Sequence, residues 1–131
     1  MKLNATCIRD ILIALENMSD LDDGLTPKYL SIKDFENNQN TSKYSKKEIV
    51  YTLRKLEESG LIIANFQYMG NELYLATITE LTYEGHQYLE SISNSKIFDM
   101  AMDKLDELGS GVTLDILKAL CTKLLKEKLG L

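Results

Sequence analysis

Little in this chain offers catalytic chemistry. Its 131 residues include one histidine, two cysteines and one proline. His86, next to Gly85, forms no His-Glu-x-x-His pair, and no Gly-rich phosphate loop, Gly-x-Ser-x-Gly elbow or Cys-x-x-Cys spacing occurs. No catalytic residue, metal site or cofactor is therefore expected, and carboxylate pairs such as Glu57/Glu58 and Asp106/Glu107 read as solubilising charge. Cys7 and Cys121 are too few for a disulfide framework or a structural zinc. Both stand among apolar residues at helical spacing, so buried free thiols are expected. No apolar run approaches the roughly 18 residues of a membrane span, and the start Met1-Lys2-Leu3-Asn4 has neither a signal-peptide core nor a cleavage site. The cytoplasm is the expected location, away from any membrane. Ser19 to Gly24 holds three aspartates but lacks the alternating oxygen ligands and closing Glu of a calcium loop, which leaves a solvated linker.

Positive charge is scarce as well: the formal net charge is −5. Residues 1–40 carry four basic and seven acidic groups, and residues 61–92 carry none and four. Residues 93–131 balance at six and six, so the one basic segment is 41–60, with five and three.

That segment also opens the best-marked helix. Ser45 with Glu48 three residues on is a capping box, Ile49, Val50, Leu53 and Leu56 share one face, and Lys47, Tyr51, Arg54, Lys55 and Glu58 share the other. Gly60 ends it, because the residue past a helix often needs φ > 0. Leu61 to Tyr68 and Leu73 to Thr79 are rich in β-branched and aromatic residues and are joined at Gly70-Asn71, which predicts a hairpin. Upstream, Ile8, Ile11, Leu12, Leu15 and Met18 predict a core helix over 5–18 capped by Asn4 or Thr6. Pro27 to Ile32 is expected as a short strand pairing with the hairpin. Lys33 to Lys43, with Asn37-Asn38-Gln39-Asn40, is expected as a polar loop outside the core, in place of a regular second helix. Downstream, helices are expected over 82–92, capped by Thr82, over 95–108, capped by Ser95 and broken at Gly109-Ser110-Gly111, and over 112–129. The fold class is mainly α with a small β-hairpin: a winged helix-turn-helix over 1–92 with a C-terminal helical extension, 93–131, packed on it.

Several stretches together resemble a known family. These are Met1-Lys2, Ile8-Arg9-Asp10-Ile11-Leu12, Tyr44-Ser45 through Leu56-Glu57-Glu58-Ser59-Gly60-Leu61-Ile62, Ile78-Thr79-Glu80-Leu81-Thr82-Tyr83-Glu84-Gly85-His86 and Lys128-Leu129-Gly130-Leu131. They are similar to the bacterial and phage family labelled domain of unknown function 2513. The sequence departs from that pattern at Thr52, where His is expected, at Phe98, where Trp is common, and in its Asn-rich insertion. The resemblance implies a winged helix, often from mobile elements.

Two functions of different class follow. The first is a DNA-binding transcriptional regulator of phage or mobile-element origin. In it Arg54 and Tyr51 face bases, and Lys43, Lys46, Lys47 and Lys55 approach phosphates. The plainer reading of the same face pairs Glu58 with Arg54 at i+4. The second is an acidic protein-binding adaptor or inhibitor, using the hairpin with Tyr68 and Met69, the loop or the last helix against a protein partner. The last helix carries more apolar residues than one seam needs, with Ile116, Leu120 and Leu125 flanking Leu114, Leu117, Cys121 and Leu124. These four are expected to form a homodimer interface that sets two 45–59 helices in successive major grooves.

Overall fold

The computed structural model describes residues 1–108 and 112–131, so the expected break at Gly109-Ser110-Gly111 lies outside the described residues. Among the described residues, six helices and a two-stranded antiparallel sheet follow the order α1 (Ala5–Met18), α2 (Ile32–Asn37), α3 (Lys46–Glu58), β1 (Ile62–Met69), β2 (Glu72–Leu81), α4 (Tyr83–Ile92), α5 (Ser95–Leu108) and α6 (Leu114–Leu129). No helix among the described residues is long and apolar enough to cross a membrane.

Helix starts follow local chemistry. Asn4 accepts from the Cys7 amide at 3.1 Å, Ser45 from Glu48 at 3.1 Å, Thr82 from Gly85 at 3.0 Å and Thr113 from Ile116 at 3.1 Å. Each such cap contributes about 1 kcal/mol. For α5 the cap is Asn94, which accepts from the Ile97 amide at 3.0 Å, one residue before the expected Ser95. The end of α3 is a Schellman turn. Gly60, at φ +77°, donates to the Glu57 carbonyl, and Leu61 donates to that of Leu56. The chain then enters β1 and returns along β2. Thr82 closes the circuit: its amide donates to the Leu61 carbonyl at 3.0 Å and its hydroxyl to the Gly60 carbonyl at 2.7 Å. One threonine thus ties the end of α3, the base of the hairpin and the start of α4. Leu81, just before that helix, ends β2 with its side chain buried.

Two expectations upstream of α3 are corrected. The strand expected over Pro27 to Ile32 meets the hairpin at one bridge, in which Leu30 and Ile78 exchange hydrogen bonds of 2.7 and 2.9 Å. The Asn-rich segment is not a polar loop outside the core. It begins with α2, where Ser31 and Asp34 form a full capping box and Ile32 and Phe35 are buried. Thr41, also fully buried, donates its hydroxyl to the Phe35 carbonyl. Asn38 takes the amides of Thr41 and Ser42 on its carbonyl and that of Asn40 on its side chain. Asn38 therefore supplies the acceptors of a turn, one of them on its side chain as short polar residues do.

One continuous core runs from α1 to α6. Arg9 joins α1 to α4 and α5, donating to the carbonyls of Ile92 and Ser93 at the end of α4 while lying 5.3 Å from the Phe98 ring centroid. This corrects the expected dimer seam. Leu117, Cys121 and Leu124 are buried within the chain's own core, where α6 packs on α4 and α5, and Leu114 is half-buried there. Tyr88 donates its hydroxyl to the Leu114 carbonyl at 2.6 Å. The large apolar residues of α6 left in water are Ile116 and Leu129.

The buried hydroxyl and thiol groups predict the alkaline limit of stability. Burial pushes the Cys7 thiol up to about 11, and it also raises the phenols of Tyr44 and Tyr88, with the Asp10 carboxylate adding to the effect on Tyr44. The unfolded chain loses these protons first, so stability is full below about pH 9 and declines as pH rises toward 11. Urea midpoints should be level from pH 7 to 8.5 and fall from pH 9 to 11; a midpoint unchanged across that range would refute the assignment.

Candidate nucleic-acid interface

The residues expected on the outer face of α3 divide into two groups by what they touch. Lys46 and Lys47, in the first turn, and Arg54, two turns on, are exposed and have no carboxylate partner among the described residues. Arg54 instead lies 5.6 Å from the ring centroid of Tyr68, linking α3 to the hairpin through a cation–π contact worth about 0.5–1 kcal/mol at an exposed site. Lys55 bonds Glu58 at 2.9 Å and lies over Tyr51. The expected Arg54–Glu58 pair is thus replaced, because Tyr68 draws Arg54 toward the hairpin and leaves Glu58 to the lysine three residues before it.

Lys43 is not on the helix. Its ammonium sits 3.0 Å from Asp10, whose carboxylate also accepts the Tyr44 hydroxyl at 2.6 Å. With Lys43 61% exposed and Asp10 only 13%, this pair is a clamp holding the α2–α3 turn to α1, so Lys43 leaves the set of free cations. Tyr51 is half-buried and donates its hydroxyl to the Met1 carbonyl at 3.2 Å.

Beside these cations lies a feature the sequence did not suggest. A groove of about 510 Å³ is lined by Met1, Lys46, Lys47, Val50, Tyr51, Arg54 and Leu73. No carboxylate lines it, and its apolar side comes from Val50, assigned in the sequence to the core face, and from Leu73 of the hairpin. On the other side of Arg54 a smaller recess of about 330 Å³ includes Glu57 and Glu58, which bounds the positive field. The hairpin supplies aromatic and apolar surface: Tyr68, Met69, Tyr74 and Leu75 are exposed. Tyr74 stands at the irregularity where the register steps from Gln67↔Leu75 to Tyr68↔Leu73. Hairpin residues near α3 were findable only from the strand register.

Other surfaces offer less. A recess of about 570 Å³ along α6 mixes Lys118, Lys123 and Lys126 with Asp115 and Glu127, so it has no field of one sign. The His86 imidazole lies 3.7 Å from Glu16, and both are about half exposed. No cluster of three metal-ligating side chains occurs among the described residues, and Cys7 and Cys121 are free and buried.

A protein of Haemophilus influenzae (strain ATCC 51907 / DSM 11121 / KW20 / Rd), described as "Uncharacterized protein", is 26% identical over 130 residues, covering 99% of this chain and 100% of the relative. No solved structure matches the chain. A family model described as "Hypothetical protein (DUF2513)" matches residues 2–112, which takes in α1 to α5, the hairpin and the groove lining other than Met1, and stops just before α6. With most of its length matched, the chain belongs to the domain of unknown function 2513 family.

Proposed function

We propose that the protein binds DNA as a winged helix-turn-helix, with α3 entering a major groove, and that it acts as a regulator of transcription rather than as a catalyst. One observation carries this reading: Lys46, Lys47 and Arg54 stand exposed and without carboxylate partners on a capped helix that leads directly into a hairpin. The element order supports it. In α1, the Leu30 bridge, α2, α3, β1 and β2, a short helix and a turn precede the cationic helix, and a third extended segment joins the hairpin. At 1.5 Å per residue, Lys46 and Arg54 lie roughly 12 Å apart along the helix, close to the width of a major groove. The lysines would then meet phosphates while Arg54 reaches a base edge.

Fluorescence anisotropy with genomic fragments tests this. Two phosphate-neutralising lysines predict that log K falls against log salt with a slope of about −2. Lys47→Ala should flatten the slope by about one unit, and Arg54→Ala should cost about 1–3 kcal/mol, chiefly for the preferred sequence. Absence of binding at low salt, or binding indifferent to both substitutions, would reject the proposal. The exposed Tyr68, Met69, Tyr74 and Leu75 favour a second reading, a protein-binding module, which that negative result would leave standing.

A further inference from the structure

The groove beside α3 has a complement elsewhere on the same chain. Between α1 and the Leu30 bridge, the segment Asp20-Leu21-Asp22-Asp23-Gly24-Leu25 is exposed throughout. It is nevertheless held in one shape. The Lys28 amide donates to the Asp20 carbonyl at 2.9 Å, the Asp22 amide to the Thr26 carbonyl at 2.8 Å, and Thr26 donates from both its amide and its hydroxyl to the Asp22 carboxylate, at 3.0 and 2.7 Å. On this rigid loop, Leu21 is 51% and Leu25 77% exposed. Leu25 also has φ +63°, the only positive φ at a residue other than glycine among the described residues. Leucine avoids that region, and strain of this kind persists where a surrounding structure enforces it and clusters at ligand and interaction sites. Here the strain projects an apolar side chain into water, flanked by carboxylates. Asp23 makes no ion pair or side-chain hydrogen bond among the described residues.

The groove presents the opposite pattern. Lys46, Lys47 and Arg54 border an apolar side made by Met1, Val50 and Leu73. Apolar projection and carboxylates on the loop thus match apolar recess and cations in the groove. No residue of the loop lines the groove of its own molecule. The groove includes Met1, just ahead of α1, and the loop follows the other end of that helix, whose 14 residues span roughly 21 Å. We infer that the Asp20–Leu25 loop of one copy docks into the α3 groove of a second copy, with Leu25 against Val50 and Leu73 and Asp20 and Asp23 facing Lys46, Lys47 and Arg54.

Such docking replaces the expected seam on α6 with a different surface. It also covers the cations proposed to hold DNA, so that the loop's carboxylates occupy the place of phosphates. The docking itself does not depend on DNA binding, and its test contains none.

Sedimentation velocity of the full chain at low salt, from micromolar to several hundred micromolar, should show a mass rising above 14.9 kDa with concentration and returning toward it as salt is raised. Leu25→Gly relieves the backbone strain and removes the apolar projection. The monomer should keep or gain stability while association weakens about 10- to 100-fold. Asp23→Lys and Arg54→Glu should each weaken association, and combining them should restore it, because the pair is then of opposite sign again. A monomer at every concentration at low salt overturns the inference. So does association indifferent to Leu25→Gly and to both charge reversals, which would place the contact on another surface. A monomer whose groove binds a synthetic acidic, leucine-containing peptide would overturn it too, in favour of a foreign protein segment.

Discussion

Gly85→Ala is expected to lower the unfolding free energy by about 3 kcal/mol, a loss on the order of 10 °C in melting temperature for a domain of this size. Gly85 is the third residue of α4, and a methyl group built on it would lie 1.9 Å from the Leu61 carbonyl oxygen and 3.0 Å from the carbonyl carbon. Neither atom belongs to a side chain that can rotate aside. Moving the carbonyl would also break the bond it receives from the Thr82 amide, at the point where α3, hairpin and α4 are joined. Gly60→Ala provides the comparison. Its methyl would meet no atom within 4 Å, so only the positive φ opposes it, at about 1–2 kcal/mol. Urea unfolding of the two variants tests the difference, and a Gly85→Ala midpoint at or above that of Gly60→Ala would contradict this account of the junction.

Phe35→Ala should cost more still, about 3–5 kcal/mol, the usual range when a fully buried aromatic is truncated. The neighbours have little freedom to close the space, since Thr41 is held to the Phe35 carbonyl and Ile32 sits one turn earlier on the same short helix. Substitution of the nearby exposed Lys33 by Ala should change stability by less than about 0.5 kcal/mol. Equal effects at the two positions would mean that α2 does not contribute to the core.

Phe35 also marks where the sequence was hard to read. Helices α1, α3 and α4 and the hairpin are announced by signals a few residues apart: a capping side chain, repeated apolar steps, a glycine past the end. A six-residue helix offers only Ile32 and Phe35, too few for a period, and the polar residues after it resemble a loop until the acceptors of Asn38 are seen closing a turn. On α6 two apolar stripes were legible, but which one faces inward depends on α4 and α5, far away in sequence. Leu117, Cys121 and Leu124 were therefore assigned to a partner when they belong to the core. The candidate site shows the same division. Its cations were legible as charges on a helix face, but their partners were not, because Asp10 reaches Lys43 from α1 and Tyr68 reaches Arg54 from the hairpin.

The Leu30–Ile78 bridge bears on the order in which the chain assembles. β1 and β2 are neighbours joined by a tight turn, so their ladder can close within microseconds and needs nothing from the first forty residues. Leu30 is different. Its two hydrogen bonds span α2, α3 and most of the hairpin, and closing so long a loop before those elements pack would lose chain entropy with little contact energy in return. The amides of Leu30 and Ile78 should therefore gain protection from deuterium late in refolding, after those of α3 and the hairpin ladder.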